Sequence, residues 1–179
     1  MFKAIIDKYY PADNELRHIL LVHSRSVAEK ALALAAAHPQ LGIDRCFVEE
    51  AAMLHDIGIF LTDAPGIHCF GTHPYILHGT LGAQLLLDEG LPRHARVCER
   101  HTGAGLSAAD ISCQHLPIVP PRDLLPETLE EQLICFADKF FSKTRLDKEK
   151  TVEQARRSLE KFGDDGLKRF DSWCSLFLP

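Results

Sequence analysis

Six segments of this sequence repeat their apolar residues at helical spacing, and none alternates them as a strand would. That contrast confines the chain to an all-α bundle, with no sheet beyond a short hairpin. The first helix starts under a cap at Asp13 or Asn14, near residue 15, and continues to about 37. Its stripe is Leu16, Ile19, Leu20, Val27 and Leu34, and Pro39 ends it. A second follows Asp44 through Val48, Ala51, Ala52 and Leu54 to His55, where Gly58 breaks it. Further helices are expected over about 76–89, from Pro92 to Thr102, over 129–145 and over 150–162, with a short amphipathic tail to Leu178. Residues 62–74 and 103–126 are rich in proline and glycine and read as loops, the second long enough to suggest a role in function.

A chain of 179 residues suits one domain, with a core over about 16–145 and C-terminal helices over 146–179. The net charge is −5 and no stretch is read as concentrating Lys and Arg, so bulk nucleic acid is not an expected partner. A small anionic substrate is compatible, because bound metal would supply positive charge locally. Ile5 and Ile6 are followed at once by Asp7 and Lys8, which is not a signal peptide, and the longest apolar run is too short to span a bilayer. Six irregularly spaced cysteines without a C-x-x-C pair point to free thiols in a reducing cytoplasm.

The chemistry lies in where histidine and aspartate fall. His23 lies inside the first helix, His55-Asp56 closes the second, His78 is in the third, His101 ends the fourth and Asp138 is in the fifth. Several follow apolar runs, such as Leu133-Ile134-Cys135-Phe136-Ala137 before Asp138. Burying such groups singly is costly, so in a bundle they should converge on one another or on a metal. Adjacent ligands fit poorly inside a helix but are feasible where Gly58 lets it end. There His55 can bind one metal while Asp56 spreads its two oxygens over two. His18, His38, His94 and His115 have no such support and are read as ordinary residues.

The order His, His-Asp, His, His, Asp over residues 16–145 resembles the HD superfamily in its HDIG subgroup. The matching motifs are Val22-His23-Ser24-Arg25, His55-Asp56-Ile57-Gly58, Leu77-His78-Gly79, Arg100-His101-Thr102-Gly103 and Phe136-Ala137-Asp138-Lys139. They look nearest to an uncharacterised HDIG hydrolase group and to the symmetrical diadenosine-tetraphosphate hydrolases. The resemblance implies an HD-domain helical bundle with one metal at His23, His55, Asp56 and Asp138 and a second at His78 and His101. Asp56, His78 and His101 are then the catalytic residues. It implies a phosphohydrolase acting on a nucleotide or other small phosphoester through a metal-bound hydroxide. The alternatives are a non-catalytic nucleotide-binding HD domain and a di-iron HD oxygenase; a homodimer is left open. Imidazole and carboxylate donors without thiolate suit one or two divalent ions, Fe or Mn foremost, with Zn, Co or Ni also compatible.

Two departures bear on substrate. Ile59 stands where many relatives carry a lysine near substrate phosphate, and the proline-rich segment 116–126 is longer than expected. Substrate contacts are expected from Arg100, from the amides of Thr102 and Gly103, and from Arg145, two helical turns beyond Asp138. His73 and His68 are placed to protonate a leaving group.

Overall fold

The structure, a computed structural model, describes residues 2–178. Among them the helices are α1 (Phe2–Tyr9), α2 (Glu15–Ala37), α3 (Arg45–Leu54), α4 (His78–Asp88), α5 (Pro92–Arg100), α6 (Ala108–Cys113), α7 (Leu129–Asp138), α8 (Val152–Arg157) and α9 (Asp164–Phe177). The fold is an all-α bundle. None of the described helices is long and apolar enough to cross a membrane. Asn14, rather than Asp13, caps α2 by accepting from Arg17 N, Asp44 caps α3 from Phe47 N, and Thr128 caps α7 from Glu131 N. α2 packs on α3 and α7, and α4 on α5. Val27, Ala31, Leu54, Ile134 and Phe136 are fully buried where these elements meet.

Two glycines set how closely the helices approach. Gly58 has φ −87, so it does not end α3 by a left-handed turn. A Cβ there would collide with the His78 carbonyl oxygen, and its absence lets the turn after α3 touch the start of α4. At Gly79, a Cβ would stand 2.6 Å from Cys98 O. This glycine therefore brings α4 against α5 and does not open space beside His78.

Several elements differ from the sequence-based expectation. α1 is additional; it buries Ile5 and Ile6, and the Tyr10 hydroxyl just beyond it donates to Ile57 O at 2.8 Å. Residues 62–74 hold three strands, β1 (Thr62–Ala64), β2 (Cys69–Phe70) and β3 (His73–Pro74), in the order β2-β1-β3. β1 pairs antiparallel with β2 and parallel with β3, at Asp63↔Phe70 and Thr62↔His73. Strands of two or three residues are too short to show alternation, which is why this exceeds the hairpin allowed above. The 103–126 connection contains α6, opened by a capping box of Ser107 and Asp110, and it carries a small core of Leu106, Ile111, Ile118 and Leu124.

The helix expected over 129–145 ends at Asp138. Lys139, Phe140 and Phe141 instead make tight turns, their N–H groups donating to the carbonyls of Phe136, Ala137 and Asp138, and Phe140 O then accepts from Lys150 N at 2.8 Å. Burial of the Phe140 ring, 5.1 Å from Phe136, fixes this change of direction. The helix expected over 150–162 is α8 followed by a short 3₁₀ turn (Glu160–Phe162), and the tail is the 14-residue α9, which buries Phe170, Trp173 and Phe177.

Candidate metal centre

Five helices deliver six side chains to one place. His55 is the C-cap residue of α3, His78 opens α4, His101 is the C-cap residue of α5, Asp138 ends α7 and His23 comes from within α2. One donor atom from each of His23, His55, Asp56 and Asp138 lies within 4.8 Å of the others, and Asp56, His78 and His101 form a second such group. His23 Nε2 is 3.1 Å from Asp56 Oδ2 and 3.0 Å from Asp138 Oδ1. His55 Nε2 is 3.1 Å from Asp56 Oδ2 and 3.5 Å from Asp138 Oδ1. The other Asp56 oxygen, Oδ1, is 3.5 Å from His78 Nε2 and 3.4 Å from His101 Nε2. Bonds of about 2.0–2.2 Å to a shared cation would leave donors roughly 3–4 Å apart.

The rings are aimed from behind. Nδ1–H of His55 donates to Ala52 O at 2.6 Å, that of His78 to Tyr75 O at 2.7 Å, and that of His101 to Cys98 O at 2.7 Å. Each acceptor lies three residues earlier, at a helix terminus. This arrangement turns the Nε2 lone pairs inward, as a metal site requires.

The buried atoms themselves test whether a cation fits. His23 Nδ1, His55 Nε2 and Asp56 Oδ1 make no well-aligned hydrogen bond, although the cluster's atoms crowd one another; Asp56 Oδ2 has the Lys143 ammonium at 2.6 Å. Buried groups left in that condition cost about 1–3 kcal/mol each, and a cation at their common focus removes the cost. The protonation of the cluster reflects the same crowding of charge. Burial opposes ionisation of Asp56, but His55 and Lys143 hold its carboxyl well below the usual range; Asp138 is held low against burial by Lys139 and His23. Burial, followed by the repulsion of His101, depresses His78 to about 3, and burial also lowers His101; their Nε2 atoms stand 3.0 Å apart. His55 is raised to about 9, because Asp56 and Asp138 outweigh its burial.

Above the cluster opens a cavity of about 540 Å³, with His23, His78, His101 and Asp138 in its floor. Of the expected substrate contacts, Thr102 and Gly103 line it. Arg100, Arg145 and His73 do not, nor does His68. Arg100 Nη1 is committed to Leu125 O at 2.9 Å and to Glu127 at 2.7 Å. Arg145 lies in a neighbouring depression because α7 stops short of it, and His73 is exposed on β3.

The sequence reading missed the cavity's lysines. Lys139, Lys143, Lys150 and Lys161 line it, together with Ser142, Thr144 and Tyr75. Lys139 Nζ lies 2.8 Å from Asp138 Oδ2 and donates to His101 O at 2.9 Å. Lys143 Nζ lies 2.6 Å from Asp56 Oδ2. The absence of a basic run does not hold for residues 139–150, where Lys139, Lys143, Arg145, Lys148 and Lys150 fall close together. That clustering was the available signal.

The profile of the HD domain family matches residues 20–142, a span that contains all six donors. Two tRNA (cytidine(56)-2'-O)-methyltransferases, from Picrophilus torridus and Thermoplasma volcanium, are 31% and 33% identical over 78% and 77% of this chain. Those matches cover 39% and 36% of the relatives, so the chain spans under two fifths of their length. An uncharacterised protein of Methanocaldococcus jannaschii is 32% identical over 78% of this chain and 76% of its own length. Among solved structures, the HD domain of the L. monocytogenes phosphodiesterase PgpH, in complex with cyclic-di-AMP, aligns with a TM-score of 0.53 at 16% identity. That alignment covers 99% of this chain and 97% of the other, and is a likeness of fold.

Proposed function

The chain belongs to the HD domain family, and from that premise we propose that it is a metal-dependent phosphohydrolase acting on a nucleotide or other small phosphoester. The observation that carries this reading is a pair of donor groups sharing Asp56 beneath a lysine-lined cavity. Structural metal sites are closed by protein on all sides, whereas catalytic sites keep open positions, and this cluster borders open space.

His23, His55, Asp56 and Asp138 would hold one divalent ion, and Asp56, His78 and His101 a second. When bound, such ions supply Lewis acidity and an acidified water for attack on phosphorus. The residues themselves do the rest. Asp56 presents one oxygen to each donor group. Lys139 ties the start of the 139–150 segment to Asp138 and to the His101 carbonyl. Thr102, Gly103 and the cationic segment all line the cavity, so an anionic phosphoester is drawn into it.

The same reading treats α8 and α9 as part of one HD domain with the preceding helices, because Leu159, Phe170 and Phe177 belong to the main core. The cyclic-di-AMP of the PgpH complex makes a nucleotide one sensible probe. The methyl transfer named for the two longer relatives is left with those proteins.

The test is metal analysis of purified protein, followed by a phosphoester and nucleotide panel with Mn²⁺, Fe²⁺, Co²⁺, Ni²⁺ or Zn²⁺ added. Metal-dependent release of phosphate or alcohol supports the reading. Nucleotide binding without turnover would favour a sensing domain, and oxygen uptake at a redox-active iron pair would favour an oxygenase.

A further inference from the structure

Lys143 lies on neither helix nor strand, five residues beyond Asp138. Its ammonium reaches Asp56 Oδ2 at 2.6 Å, and its side chain is 12% exposed. The same oxygen stands 3.1 Å from the Nε2 atoms of both His23 and His55. Ammonium and imidazoles thus converge on one carboxylate oxygen. Burial disfavours the charged lysine, but Asp56, Tyr75 and Asp138 together hold it protonated.

Two positive charges cannot share that oxygen cheaply in a buried setting, since their repulsion grows as the local dielectric falls. A metal cation at the first donor group and the Lys143 ammonium therefore compete for Asp56. Lys143 has somewhere to go. It lines the cavity beside Ser142 and Thr144, and its flexible four-carbon stem lets the charge travel outward. Ile59, directly after His55-Asp56-Ile57-Gly58, is fully buried in the core and brings no charge to the cavity.

We propose that Lys143 is the phosphate-binding cation of this site: it holds Asp56 until a metal ion takes that carboxylate, and then pairs with an oxygen of the substrate phosphate. The inference rests on the hydrolase reading above, and its test separates the two. Wild type, Lys143→Met and Lys143→Arg are titrated calorimetrically with Mn²⁺, and the Mn²⁺-loaded proteins are then titrated with inorganic phosphate. Lys143→Met should keep the wild-type manganese stoichiometry and bind the ion several-fold more tightly. Its manganese-loaded form should bind phosphate roughly tenfold more weakly, the size expected for one charge-assisted hydrogen bond, and Lys143→Arg should recover most of that loss. Unchanged phosphate affinity overturns the proposal whatever manganese does. Loss of manganese from Lys143→Met with its thermal melt intact also overturns it, because the lysine would then be supporting the cluster. A wild-type chain that binds neither manganese nor ferrous iron overturns the hydrolase reading itself, and this inference with it.

Discussion

The floor and the rim of the cavity are built by different means. Floor groups stand on or beside five packed helices, their rings braced by carbonyl bonds, and His55 and Asp56 are fully buried. The rim comes mostly from turns over 139–150 and around 160–162, and carries its charge on long, flexible lysines. Fixed donors suit an ion that tolerates little displacement; mobile cations suit an anion that must enter and leave. Damage to the floor should therefore abolish the activity, while damage to the rim should tune it.

The largest effect is expected at Asp56, which serves both donor groups. Asp56→Ala should lose bound metal and reduce hydrolysis to background, read by metal analysis and a phosphoester assay. His78→Ala comes next. It should keep one metal and the fold, with hydrolysis lower by orders of magnitude; normal hydrolysis would reduce the floor to a single working group. A smaller change is expected at Gly103, where floor and rim meet. It has φ +61, and a Cβ there would stand 3.2 Å from the Phe162 ring. Gly103→Ala should cost about 1–2 kcal/mol, measured by denaturant unfolding, with metal content unchanged.

The smallest effect is expected outside both regions. His94 is buried, stacks edge-on to Phe47 and sits 3.7 Å from Glu50, and burial first, then Arg93, lowers its pKa against the pull of Glu50. The folded chain thus binds this proton less readily than the unfolded one, whose histidine titrates near ~6.5. Stability should fall as pH drops below that value. His94→Asn should flatten this part of the stability–pH curve without altering metal content. A loss of metal would show that the helices carrying the floor are less independent of their surroundings than the comparison supposes.

Much of the floor could be read in the sequence for the same reason that it is rigid. A histidine or aspartate among Ala51, Ala52, Met53 and Leu54, or after Phe136 and Ala137, is a polar group that packing will bury, and burial demands a partner. The convergence of the six donors follows from that. The rim was less legible because turns have no period. Extending α7 to Arg145 placed that arginine above the cluster, whereas the turns after Asp138 bring Lys143 there instead. α1 does carry a helical stripe, Phe2, Ile5, Ile6 and Tyr9, but over only two turns, whereas the two- and three-residue strands offer no pattern to detect. Gly58 reads as a breaker from its residue type, but its reason, the close approach of His78 O, depends on a contact between separate elements.

The most direct test of the metal centre is the metal content of purified wild type and Asp56→Ala, determined together with chelator sensitivity of hydrolysis. The account predicts one or two equivalents of a divalent transition metal in wild type, none in the variant, and activity that a chelator removes and added metal restores. Wild-type protein that hydrolyses phosphoesters without metal, and undisturbed by the chelator, would contradict it.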